Sequence, residues 1–217
     1  MKKYKNILKN REIAASELFQ VIPILKLKDE NLQIIAVSKG GLEIAHYLAK
    51  KYSNNINILF SQAIMAPNNS ECEIARVSEH EEIVINEDIV KSFSIKYDYI
   101  YGEAHRKHEE TILSYIYKYR KGKPFPSVDD KSVLIVDDGA ETGLKLMTAL
   151  KTILAQRPKA VCIAVPVIPS DVLELLEPYA DEIFYLYNID DYVETSLYYE
   201  DFPDIDEERI EKLLEDK

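Results

Sequence analysis

Cysteine is scarce: Cys72 and Cys162 are the only two in 217 residues, and they stand in unrelated contexts with no metal-ligand spacing. That pattern argues against a disulfide framework or a cysteine-ligated zinc site and fits free thiols in a reducing compartment. Positive charge is also short. With 27 Lys and Arg against 38 Asp and Glu the net charge is -11, which opposes a broad nucleic-acid or anionic-membrane surface. No apolar run reaches the roughly 18 residues of a membrane span, and none of signal-peptide length follows the basic start Met1-Lys2-Lys3-Tyr4-Lys5. The expectation is a cytoplasmic protein that binds neither nucleic acid nor membrane. Internal repeats, low-complexity tracts and obvious linkers are missing too, so the 47% hydrophobic content predicts one domain over residues 1–217 with a full core.

What is present alternates. Residues 33–37, 56–60, 133–136, 160–167 and 182–186 read as aliphatic strands, and 11–26, 42–52, 101–120, 143–154, 170–176 and 206–215 as helices. The first helix carries Ile13, Ala14, Leu18, Val21 and Ile22 at helical spacing and ends near Pro23; the 101–120 helix stops at Gly122 with Pro124 beyond it. Such alternation predicts an α/β fold, a doubly wound and mostly parallel twisted sheet. Residues 74–86 break the pattern with β-type runs around Glu79-His80-Glu81-Glu82 and read as an inserted β-hairpin, the candidate lid at about residues 70–90. Residues 1–30 and the acidic, tyrosine-rich 188–217 are expected to form a small hood.

Chemistry concentrates at two strand ends, where open α/β sheets bind ligands. After 133–136 come Asp137, Asp138, Gly139, Ala140, Glu141, Thr142, Gly143 and, past Leu144, Lys145. Adjacent ionised carboxylates are acceptors with about four lone-pair sites each and suit the vicinal hydroxyls of a ribose. The turn that follows offers backbone N–H groups, the Thr142 hydroxyl and a helix start, which favour a phosphate dianion. After 33–37 the run Ser38, Lys39, Gly40 and Gly41 reads as a tight turn whose backbone can approach a second phosphate, with Lys39 adding charge.

In this order the residues resemble the type I phosphoribosyltransferases, and specifically a bacterial phosphoribosyltransferase-like subgroup. The family's phosphoribosyl pyrophosphate (PRPP) motif runs apolar strand, two acids, two small or apolar residues, a variable residue, then Thr-Gly-x-Thr, and its pyrophosphate loop is often Arg-Gly-Gly or Lys-Gly-Gly. Weaker similarities follow at Asn10-Arg11-Glu12-Ile13-Ala14, Ala66-Pro67-Asn68-Asn69-Ser70-Glu71, Val77-Ser78-Glu79, Ala164-Val165-Pro166-Val167 and Tyr199-Glu200-Asp201-Phe202. The resemblance implies transfer of a 5-phosphoribosyl group from PRPP to a nitrogenous acceptor, a purine base being the candidate, with release of pyrophosphate. It implies that Asp137 and Asp138 hold the ribose hydroxyls, and that residues 139–143 with Lys145 hold the 5′-phosphate. Ser38 to Gly41 would hold pyrophosphate, and Glu141 would accept or orient a proton. Mg2+ would arrive with PRPP rather than on protein ligands, and a homodimer is common in the family. Two departures bear on activity: Ser61-Gln62 stands where the subgroup carries a basic pair, and Lys145 where it carries a second Thr. They motivate the alternative of a non-catalytic PRPP- or nucleotide-binding protein.

Plainer readings compete at each position. Acids and Thr favour a helix start on structural grounds alone, so the order of the motif, not its composition, points to a ligand. His105 and His108 share a helical face but no third ligand is evident, and Tyr115, Tyr117, Tyr119, Tyr198 and Tyr199 suit half-buried packing. The locally basic 105–123 region either faces a phosphate or solvates a helix. A Walker A loop does not fit, because Lys145 does not directly follow Gly143 and Leu146 stands where Ser or Thr belongs. A phosphoacceptor receiver domain would need more chain after 133–138 than remains.

Overall fold

Apolar strands with no polar face are stable only when covered on both sides, and this chain covers them. The computed structural model describes residues 7–23, 32–52 and 56–215. Among these the strands are β1 (Gln33–Ala36), β2 (Ile56–Ile58), β3 (Ser61–Ala66), β4 (Asn69–Ser78), β5 (Ile83–Ile85), β6 (Ser132–Val136), β7 (Ala160–Pro169) and β8 (Glu182–Ile189). The α-helices are α1 (Arg11–Val21), α2 (Lys39–Tyr52), α3 (Glu87–Ser92), α4 (Tyr97–Lys107), α5 (Leu113–Arg120), α6 (Leu144–Leu154), α7 (Ser170–Leu176) and α8 (Glu207–Glu215). Among the described residues no helix is long and apolar enough to cross a membrane.

Strands β2-β1-β6-β7-β8 form one sheet in that order, and every pairing in it is parallel. The period of two sends successive residues to opposite faces. On β6, Leu134 and Val136 join the core shared with α2 and the β3–β5 sheet, while Val133 and Ile135 join the core under α6 and α7. The doubly wound α/β sheet expected from the sequence is therefore the observed one. Its order reverses between β1 and β6, and Ala36 pairs with Val136 at the carboxyl ends of those strands. A crevice at such a switch point is where this architecture binds ligands.

The inserted hairpin is larger than residues 74–86 suggested. Strand β3 pairs antiparallel with β4 through a turn at Pro67 and Asn68, and β4 pairs with β5, giving three strands. Its inner residues Ile64, Ile74, Ala75 and Val77 are fully buried, and Thr152 of α6 donates to Ser78 of β4 at 2.9 Å. Glu79 ties the end of β4 down further: one carboxylate oxygen accepts from the Phe60 amide at 2.9 Å and the other pairs with Arg120.

Helical boundaries shift for identifiable reasons. The α4–α5 unit starts at Tyr97 and is interrupted by a π-helical turn at His108–Ile112, neither of which apolar spacing reveals. Helix α1 ends at Val21, and residues 24–26 of the predicted helix lie outside the described ones, as do 1–6 and 24–30 of the expected hood. The buried face of α1 is Arg11, Ala14, Ala15 and Leu18, whereas Ile13 and Val21 are exposed. Small residues there let α1 lie close and bring Arg11 inward. Asn10 caps the helix, its side-chain oxygen accepting from the Ile13 amide at 2.9 Å. Asn10→Ala is expected to cost about 1 kcal/mol, read as a lower urea midpoint.

Candidate active site

The two motifs meet because β1 and β6 are neighbours. Residues 38–41 form the N-terminus of α2, which begins at Lys39, and not the open turn expected from two glycines. The Ser38 hydroxyl accepts from the Gly41 amide at 2.8 Å, a capping contact, and donates to a carboxylate oxygen of Asp137. Close approach is what the glycines permit. A Cβ on Gly40 would overlap the Asp138 carboxylate, and one on Gly41 would lie 2.6 Å from the Val136 carbonyl oxygen.

Both aspartates are almost fully buried, and each has a cation on it. Asp137 accepts from the Lys145 ammonium at 3.0 Å and from the Asp138 amide at 3.0 Å. Asp138 accepts from Arg11 Nε at 2.9 Å. Arg11 is itself fixed, donating to the Pro203 carbonyl at 2.8 Å with its guanidinium 3.8 Å from the centre of the Phe202 ring. Tyr199 donates to the Asp138 carbonyl at 2.7 Å. The carboxyl-terminal region thus braces the acid pair.

Burial, and next the neighbouring Asp137 charge, push the Asp138 carboxyl up to about 6, with Lys145 and Arg11 pulling the other way. Burial works against the Lys145 ammonium, but Asp137 and Asp138 outweigh it and hold its pKa above the ordinary lysine value. Burial raises the Tyr192 and Tyr199 phenols, so both stay protonated donors at neutral pH.

The turn from Gly139 to Gly143 forms the floor of a cavity of about 490 Å3. Glu141 and Thr142 are exposed in it, and Gly143, at φ 73°, precedes α6. A Glu141 carboxylate oxygen accepts from the Thr195 amide at 3.1 Å, so in this state it anchors the 195–198 turn. Ser38, Lys39, Gly40, Asp137 to Gly143 and Lys145 all line this cavity; Gly41 lies behind it, against β6. Lys145, expected on a phosphate, is found on Asp137 instead.

Sequence reasoning missed Arg11, Glu73, Arg76, Glu194 and Thr195, which line the cavity together with Leu146, Ser196 and Phe202. Arg11 lies 127 positions from its partner Asp138, and its signals were an arginine heading an apolar helix stripe and the weak family similarity at residues 10–14. No group of three or more His, Cys, Asp or Glu is placed to hold a metal ion among the described residues.

A sequence model of the phosphoribosyl transferase domain matches residues 3–201. The chain belongs to the phosphoribosyl transferase domain family. The chain is similar to the TT1426 protein of Thermus thermophilus, whose crystal structure superimposes with a TM-score of 0.77 at 26% identity, covering 95% of this chain and 97% of that one. It is also 23% identical over 160 residues to a provisionally named phosphoribosyl transferase, Rv0571c, of Mycobacterium tuberculosis. That match covers 74% of this chain and 36% of the relative, so the chain spans about a third of the length of the curated relatives it matches.

Proposed function

We propose that this phosphoribosyl transferase domain moves a 5-phosphoribosyl group from PRPP to a nitrogenous acceptor, with a purine base the candidate. One observation carries the reading: the Ser38 link to Asp137 joins two helix N-termini and an acid pair around one cavity. Two phosphate sites flanking a diol site are what PRPP requires. Asp137 and Asp138 accept from the ribose hydroxyls. The start of α6, with Thr142 and Gly143, takes the 5′-phosphate, and the start of α2 takes the pyrophosphate. Lys145 exchanges Asp137 for the 5′-phosphate when ligand enters.

In the reaction the bond from ribose C1 to the pyrophosphate oxygen breaks, and a bond from the acceptor nitrogen to C1 forms. Charge grows on the departing pyrophosphate, where fixed donors count most. Glu141, an exposed residue of the cavity lining, takes the acceptor's proton once its contact with the Thr195 amide opens. Magnesium suits this cavity as part of the ligand, since it prefers phosphate oxygens and water over crowded protein cages. Bound there it would supply positive charge to the leaving group, and Asp137 and Asp138 would hold the ligand through its ribose hydroxyls.

The alternative of a binding protein without catalysis draws on Lys145 lying on Asp137, where a ribose hydroxyl is to bind. A single assay separates the two: pyrophosphate release from PRPP and magnesium across purine and pyrimidine bases, with PRPP binding measured on the same preparation. Release that requires one base is expected and would identify the acceptor. Release without any base would mean a hydrolase. Binding without release would favour the ligand-binding alternative, and absence of binding would overturn the site assignment.

A further inference from the structure

We infer that Arg76 of β4 receives the pyrophosphate of the ligand and selects pyrophosphorylated over monophosphorylated ribose; this rests on the PRPP reading above. Four cations line the cavity, Arg11, Lys39, Arg76 and Lys145. Arg11 lies on Asp138, and Lys145 lies on Asp137, from which the reading above moves it to the 5′-phosphate. A multiply charged leaving group is therefore left with Lys39 at the start of α2 and Arg76 on the hairpin wall. Arginine suits the task, because its planar fork matches phosphate oxygens in pairs.

The wall is shaped to present this residue. Three positions apart on a regular strand, Glu73 and Arg76 would point to opposite faces. A register irregularity intervenes: Ile64 pairs with Ala75 but Met65 with Glu73, so the strand gains a residue at Ile74. Such bulges re-aim side chains beside active sites. The result is an ion pair at 2.7 Å between Arg76 Nε and Glu73, with the two side chains only 12% and 16% exposed. Arg76 Nη1 also donates to the Ser61 hydroxyl at 3.2 Å. Ser61 belongs to the Ser61-Gln62 pair that stands where the resembling subgroup is basic. The charge missing from β3 is thus supplied from the neighbouring strand.

Glu73 has a matching role. An unpaired carboxylate on the cavity wall would repel pyrophosphate; paired, it holds Arg76 in place between turnovers. Pyrophosphate is received at the Nη end of the guanidinium while Glu73 stays on Nε, so its charge remains neutralised with ligand bound.

Titration calorimetry with PRPP and with ribose 5-phosphate, both with magnesium, tests this on the full chain. Arg76→Ala is expected to weaken PRPP binding by about 10- to 100-fold while changing ribose 5-phosphate affinity by less than about twofold. The unchanged ribose 5-phosphate affinity reports an intact fold. Arg76→Lys should recover part of the loss, and so should Ser61→Arg added to Arg76→Ala, which moves the charge across to β3. PRPP affinity unchanged in Arg76→Ala, or an equal loss of both ligands, would overturn the inference alone. Wild-type protein that binds neither ligand would sink the PRPP reading and this inference with it.

Discussion

Replacing Gly41 by alanine is expected to lower stability by about 2–3 kcal/mol and to abolish ligand binding. The new methyl would lie 2.6 Å from the Val136 carbonyl oxygen and 2.8 Å from the Asp137 Cα, both backbone atoms at the end of the central strand. Neither can yield without pulling α2 off β6, since Ser38 already clamps the two together. Alanine is the better helix former by about 1 kcal/mol, which offsets only part of that strain. Gly40 is the instructive contrast. A Cβ there overlaps the Asp138 carboxylate and lies 2.8 Å from Arg11 Nε, which are ends of side chains and can swing. Gly40→Ala should therefore lower the urea midpoint by less than Gly41→Ala does and still lose ligand, because the displaced carboxylate no longer faces a ribose. A wild-type midpoint for Gly41→Ala would show that α2 can withdraw from the sheet, and the rigid switch-point crevice would have to be abandoned.

The sheet was legible because its strands are aliphatic runs bounded by turn residues, and the acid pair was legible because it follows such a run directly. What was lost lay in packing between distant segments. Strand β3 reads Ser-Gln-Ala-Ile-Met-Ala, too short and mixed for a period of two to show, and its two register shifts with β4 erase the alternation that would have flagged it. The start of α2 was misplaced because glycine at two of its first three positions argues against a helix by propensity, whereas crowding against Asp137 and Asp138 demands it. Arg11, Arg76 and Thr195 reach the cavity from three separate regions, and nothing local in their sequence contexts announces a ligand. Lys145 was seen as a phosphate cation, but helix α6 carries its side chain back to the end of β6, where it pairs with Asp137 at 3.0 Å.

Asp138 should be the residue whose removal adds stability and takes away function. Folded, its carboxyl keeps a proton until about pH 6, whereas unfolded it loses one near its ordinary value of 3.8. Between these values the folded chain holds a proton that the unfolded chain has lost, so this group makes stability fall as pH rises from about 4 to 6. Above that window the cost is fully present, below it absent. A gap of about two pKa units corresponds to about 3 kcal/mol, and the side chain is buried enough that solvent screening removes little of it. Asp138→Asn does not titrate. It is expected to be more stable than wild type by about 1–3 kcal/mol at pH 7.5, less whatever the weakened Arg11 contact returns, and to converge with it near pH 4. Urea midpoints at the two pH values decide this, and an offset that does not change with pH would show that burial and the Asp137 charge do not raise the Asp138 carboxyl in the fold. Activity should move the other way. An amide offers one acceptor where the carboxylate offered two, and Asp137→Asn/Asp138→Asn should lower PRPP turnover by about 100-fold or more, since each charged hydrogen bond to ribose contributes about 1.5–3 kcal/mol. Burial, and next the Asp137 charge, make an ionised Asp138 costly to the fold, and hydrogen bonds from the ribose hydroxyls of the proposed ligand offset that cost.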